Sequence, residues 1–123
     1  MTPTEIIKAD AARNGVSPTK VILSIKPDLK AGRSTLMQVG DSVLVVKMIA
    51  PYTAELHLFT VEPVRTLIQS IKEFVNKLNE SGVRTVYGNA DNEGIFQILT
   101  AAGVKIQQSD VDGYNWKADV WAQ

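Results

Sequence analysis

Cysteine is missing from all 123 residues, which excludes disulfides, thiolate metal sites and a cysteine nucleophile while leaving the redox compartment open. Net charge is missing too. Thirteen Lys and Arg balance thirteen Asp and Glu, and the two signs are interspersed, so neither a basic face for nucleic acid nor a polybasic membrane anchor is present. No apolar run approaches the roughly 20 residues of a membrane-spanning helix. Met1 to Asp10 carries acids where a signal peptide has an uninterrupted apolar core, so the protein is expected to stay where it is made, in the cytoplasm. Internal repeats, low-complexity tracts and linkers are absent as well. With 45% hydrophobic and 21% charged residues, the chain is expected to form one domain, 1–123, around one core.

What is there is organised around the stretch from Ala54 to Val104. Val64, Leu67, Ile68, Ile71, Phe74, Val75 and Leu78 recur at steps of three and four, which lays one apolar stripe along a helix that must face a sheet or other helices. Pro63 suits the first helical position, its fixed φ being helical already, and Gly82 supplies the left-handed residue that stops the helix. Apolar strands flank it, Ala54 to Thr60 before and Val83 to Tyr87 after. Strand, helix, strand with a crossover of this length predicts two parallel strands.

The remainder reads as packing around this unit. Thr4 to Arg13 is predicted helical, capped by Thr2 or Thr4, stopped at Asn14-Gly15, and burying Ile6 and Ile7. Ser17-Pro18 opens Thr19 to Ile25, a second short helix with Val21, Ile22 and Ile25 on one face; its β-branched residues leave a strand open as the alternative. Lys26-Pro27-Asp28 is expected to break regular structure. Ser34 to Val39 and Val43 to Ile49 read as strands joined by a two-residue Gly40-Asp41 turn, and Pro51 interrupts before the strand at Ala54. Because Leu44, Val45 and Val46 are consecutive, that strand should be covered on both faces and lie inside the sheet. Val104 to Ser109, a turn at Asp112-Gly113, and Tyr114 to Trp121 read as a closing hairpin, with Trp116, Ala118 and Val120 on one face.

Few residues carry chemistry. Glu55 and the single histidine, His57, lie two apart on a strand and hence on one face, where a carboxylate beside an imidazole suits a general base acting on an amine; a polar strand face is the plainer alternative. Asp110, Asp112, Asn115 and Asp119 lack the alternating ligands and distal glutamate of a calcium hand, so no metal is expected. The segment from Gly88 to Gly94 lacks the lysine and spacing of a phosphate loop and reads as a turn with a helix cap at Asp91 or Asn92. Tyr114, Trp116 and Trp121 form either a recognition surface or the last piece of the core.

This order of elements, an α/β mixed sheet with helices on both faces, resembles the GNAT superfamily of acyl-CoA N-acyltransferases over roughly Ser34 to Trp121. Val61-Glu62-Pro63 stands where that family writes Val-x-Pro before its main helix; Asn92 through Gly103-Val104, with Ile98 at an apolar position, stands where it writes Asn, a short helix and Gly-Phe. The resemblance implies that the strands at Ala54 and Val83 splay at their C-terminal ends to admit coenzyme A, with Val61, Arg65, Thr66 and Asn92 as the positions matching coenzyme contacts. Two departures stand out. The family's glycine loop at the helix start, which lets backbone N–H groups approach a pyrophosphate, is replaced by Val64-Arg65-Thr66-Leu67, and the tyrosine that serves as general acid is replaced by Leu99. This doubly altered pattern resembles small GNAT-like proteins of short-tailed bacteriophages, including an internal virion protein family. The resemblance therefore implies a catalytically degenerate GNAT-fold protein with a protein partner and no cofactor, sited in the host cytoplasm or the virion. The alternative is a working N-acetyltransferase that uses acetyl-CoA through an unusual loop, with Glu55 and His57 as its catalytic pair.

Overall fold

The computed structural model describes residues 1–91 and 93–120. Helices α1 (Pro3–Arg13) and α2 (Pro18–Lys30) precede strands β1 (Ser34–Val39), β2 (Ser42–Ala50) and β3 (Thr53–Thr60), followed by α3 (Val64–Glu80), β4 (Thr85–Gly88), α4 (Glu93–Ala101), β5 (Gln107–Gln108) and β6 (Trp116–Asp119). The strands form one mixed sheet in the order β1-β2-β3-β4-β6-β5. β1, β2 and β3 run antiparallel, with Val39 opposite Ser42 across the two-residue Gly40-Asp41 turn. β3 and β4 pair parallel, as the crossover through α3 requires, and β6 pairs antiparallel with both β4 and β5.

Alternate residues of β2 explain why it is apolar along both faces. Val43 packs with Ile6 and Ile7 of α1 and with Val21, Ile22 and Ile25 of α2. Leu44 and Val46 point the other way, into the core made by α3, β4 and β6. Helices therefore cover both faces, and β2 lies one strand in from the sheet edge. Leu67, Ile71, Phe74, Val75 and Leu78 are buried as the stripe predicts. Val64 is an exception at 56% exposed, because it opens the helix ahead of the sheet.

Several expected boundaries move. Pro63 is the residue before the first helical turn of α3, at φ −65° and ψ 157°, and not its first helical residue. Pro27 does not break α2, which runs on to Lys30. The carbonyl that loses its donor there belongs to Leu23, which is 63% exposed, so water replaces the missing N–H at little cost. The break comes at Gly32, where Arg33 N–H reaches Asp28 O at 2.8 Å and the Arg33 Nε holds the Asp28 carboxylate at 2.7 Å. The same closure, a positive-φ glycine followed by a residue whose N–H reaches back five positions, ends α1 at Gly15, α3 at Gly82 and α4 at Gly103. Thr2 rather than Thr4 caps α1, through a reciprocal pair of bonds with Glu5.

The closing hairpin is shorter than its apolar pattern suggests. Only Gln107–Gln108 of the expected Val104 to Ser109 strand pairs, because Val104 drops into the core instead of following the sheet. The final strand begins at Trp116, not Tyr114, and Trp121 lies outside the described residues. Trp116, Ala118 and Val120 are all buried on the α3 side, so Trp116 completes the core and is no recognition surface. No helix among the described residues is long and apolar enough to cross a membrane.

Phe74 is 3% exposed at the centre of the α3 stripe. Its replacement by alanine should cost about 3 to 5 kcal/mol in denaturant unfolding with little change in the slope of the transition. A loss below about 1 kcal/mol would mean that the stripe is not what holds α3 to the sheet.

Candidate functional site: a cleft between two parted strands

β3 and β4 stay together for only three residue pairs, Thr53↔Thr85, Ala54↔Val86 and Glu55↔Tyr87. β3 then runs on through Leu56–Thr60 while β4 turns away. Side chains enforce the parting. Asn89 Nδ2 donates to Gly113 O at 2.8 Å, Asn115 N–H donates to Asn89 Oδ1 at 2.9 Å, and the Asn115 amide takes Ala90 N–H at 3.0 Å while giving to Ala90 O at 2.7 Å. The two amides carry the β4–β6 connection past Gly88 without strand geometry, pairing Ala90 N–H and O and Gly113 O with side chains. Gly88 makes room for this. A Cβ there would lie 2.6 Å from the Trp116 ring, so only glycine lets the indole cross beneath the parting.

The opening is a cavity of about 420 Å³. Leu56, Leu58, Phe74, Leu99, Val104 and Trp116 are among its apolar lining residues, and Asp10 and Asn14 of α1, His57, Thr60, Asn89 and Asp91 are the polar ones. No lysine or arginine lines it among the described residues. Asp10 Oδ1 accepts from Thr60 N–H at 3.3 Å, and burial raises its carboxyl above the ordinary range against the opposing pull of that bond, Arg13 and Asn14.

Glu55 and His57 are brought together as their spacing predicts, His57 Nε2 lying 3.1 Å from Glu55 Oε1. Both project on the α1–α2 face of the sheet, in register with Lys47 and Val45 of β2. Tyr114 meets the same carboxylate, and burial together with Glu55 raises its hydroxyl above its usual value. Its ring packs on Tyr87 at 5.5 Å. Tyr87 Oη donates to Asp110 at 2.9 Å, which raises the phenol and lowers the Asp110 carboxyl, and Lys117 holds the same carboxylate at 3.3 Å. His57 reaches the cleft; Glu55 stands behind it.

Of the positions matched to coenzyme contacts, three gather at the β3–α3 junction. Val61 is half-buried and its N–H bonds Asp41 O at 3.2 Å, Arg65 and Thr66 are exposed on the first turn of α3, and none of the three lines the cleft. Asn92 lies outside the described residues. Sequence reading missed Asp10, Asn14, Asn89 and Asn115, since polar residues on a helix face or in a turn carry no periodic signal. No cluster of three metal-ligating side chains occurs among the described residues. Asp110 is engaged as above, Asp119 accepts from Thr85, and Asn115 is committed to the β4 loop.

No protein-family model and no curated protein matches this sequence. Solved structures do. A Bacillus subtilis acetyltransferase in complex with CoA matches with a TM-score of 0.53 at 19% identity, over 83% of this chain and 82% of that one. Tetrahymena GCN5 matches at 0.61 and 12%, over 95% and 86%. The PaiA N-acetyltransferase of Thermoplasma acidophilum in complex with coenzyme A matches at 0.50 and 16%, over 94% and 89%. These likenesses show the fold: the chain is a mixed six-stranded sheet of the GNAT type.

The residues here do not fit the pyrophosphate of coenzyme A. The first turn of α3 has no side-chain cap, so its N–H groups face outward as an anion site needs. Yet only Val61, Glu62 and Pro63 separate β3 from α3, leaving no glycine loop to wrap a phosphate. The Glu62 carboxylate of that connection is turned inward, accepting from Ser42 Oγ and, at 2.7 Å, from Ser70 Oγ. The cleft beyond adds two more carboxylates and, among the described residues, no cation.

A carboxyl whose folded pKa is raised contributes its full stability below its unfolded pKa and loses it as pH rises through the folded value. Ionised Asp10 therefore burdens the fold at neutral pH. Asp10→Asn should raise Tm at pH 7, and the gain should vanish in thermal melts near about pH 3, where both forms are neutral. An unchanged or lowered Tm at pH 7 would contradict this reading of the carboxylate.

Proposed function

We propose that this protein is a GNAT-fold binding protein that does not transfer acyl groups, working in a virion, in assembly or against a host protein, as the resemblance to short-tailed phage proteins implies. The observation that carries the reading is the three-residue passage from β3 into α3, filled by the inward-turned Glu62. Without a loop there, nothing fixes an acyl donor against the sheet, and proximity supplies much of the rate in such reactions. Leu99 adds to this. It lines the cleft at the position matching the family's general acid and has no proton to give.

A second reading, acetyl-CoA-dependent N-acetylation, is favoured by one observation, the Glu55–His57 pair at the parting of the strands. The two separate cleanly. Under the first, calorimetric titration with acetyl-CoA gives no heat on folded protein, and transfer to a panel of amines and small peptides stays at background in wild type, Glu55→Gln and His57→Ala alike. A general acid is worth about 10²- to 10⁴-fold, so a working enzyme would stand far above that background. Turnover that falls in either variant would establish the second reading with Glu55 and His57 as its site.

A further inference from the structure

The two edges of the sheet are built differently. β5 closes one edge with two residues, Gln107–Gln108, a length that offers a neighbouring strand little to pair with. β1 closes the other with six, Ser34–Val39, in unbroken register with β2. An edge strand that must stay single is usually blunted by a charge, a proline or a bulge, and β1 has none of these. Val39↔Ser42 closes the two-residue turn and is therefore a bonded pair, so by alternation Thr35, Met37 and Val39 give their N–H and C=O groups to β2 while Ser34, Leu36 and Gln38 turn theirs outward. Ser34 is covered, at 5% exposed. Leu36 and Gln38 stand exposed at the surface, and no backbone hydrogen bond among the described residues reaches either from the outer side.

We infer that β1 pairs with β1 of a second copy of this chain, antiparallel about a two-fold axis at Met37, joining two six-stranded sheets into one. In this register Leu36 faces Gln38 of the other copy, and each such pair exchanges two N–H···O bonds, so the outward groups that solvent reaches are satisfied together. The two Met37 residues meet at the axis as a non-bonded pair, and Thr35 faces Val39. Charge selects a second copy over an unrelated strand. The axis that sets Leu36 opposite Gln38 also sets Arg33, at one end of β1, opposite Asp41 at the other, once on each side of the axis. Both side chains are open to solvent, 58% and 50% exposed, and each keeps hydrogen-bonding capacity beyond its present contact, Arg33 Nε with Asp28 and Asp41 Oδ1 with the N-terminal ammonium. An axis at Leu36 would instead oppose the covered Ser34 to Gln38 and leave Arg33 facing Val39.

Sedimentation of the full chain over a range of concentrations tests this, and should show a species of twice the 13.4 kDa chain mass that dissociates on dilution. Leu36→Lys sets a charge on the edge, and Leu36→Pro removes an outward N–H that β2 does not use. Both should run as monomers where wild type is dimeric, with unchanged far-ultraviolet circular dichroism. Arg33→Glu should weaken the dimer, and Asp41→Arg added to it should restore it, since both ends then reverse sign. The absence of cysteine lets the register be read directly. Met37→Cys should link across the axis on mild oxidation, because a non-bonded pair has Cα atoms about 4.5 Å apart, within the range of about 4.4 to 6.8 Å that a disulfide spans. Thr35→Cys should not, its two copies lying roughly 14 Å apart along the strands. A wild type that is monomeric at every concentration, whatever other strand it accepts, a dimer untouched by both Leu36 variants, or Thr35→Cys linking as readily as Met37→Cys would overturn the inference.

Discussion

Everything distinctive about this molecule depends on β4 leaving β3 after three residue pairs. A parallel pair that separates must find other partners for its backbone groups, because buried N–H and C=O groups left unpaired are costly. On one side Asn89 and Asn115 meet that need with side-chain amides that continue the β4–β6 ladder. On the other, Leu56–Thr60 of β3 keeps its antiparallel bonds to β2 and turns its second edge to the cleft, where Thr60 N–H has found Asp10. Among the described residues no buried side-chain polar atom lacks a partner.

The helices serve that opening. α3 and the inner sheet face form a continuous core from Leu44 to Trp116 that holds β4 and β6 as a unit. α1 and α2 form a smaller cluster around Ile6, Ile7 and Val43 on the opposite face, which brings Asp10 and Asn14 over the end of β3. Polar pairs lie on and around the same side of the sheet: Asp28 of α2 binds Arg33 and Lys47, Glu55 binds His57, and Asp110 binds Tyr87 and Lys117. These ion pairs are partly solvent-exposed and order side chains more than they stabilise the fold. The Glu62 carboxylate differs. Held by hydroxyls from β2 and α3, it fastens the short β3–α3 passage from within.

Local chemistry made much of this legible before any coordinates. The α3 stripe, the glycine stops, the Gly40-Asp41 turn and the double-faced β2 follow from periodicity and backbone conformation alone, since each is decided within a few residues. The parallel β3–β4 pair follows from the crossover length. Where the reading strayed, a local signal was outvoted by distant packing. Pro27 reads as a breaker, but its helix faces water there and continues; Val104 reads as the start of a strand, but the core takes its side chain first.

The candidate site divides along the same line. The sequence by itself determined that Glu55 and His57 share a strand face, that the start of α3 has no glycine and that position 99 carries an apolar leucine, because those are statements about residue identity and spacing. Only the tertiary structure decided that Asp10, 50 residues from Thr60 in the chain, meets it across the cleft, or that Asn89 and Asn115 hold the strands apart. Long-range hydrogen bonds between loops and helix faces leave no period in a sequence; they exist once the sheet has brought the partners within about 3 Å.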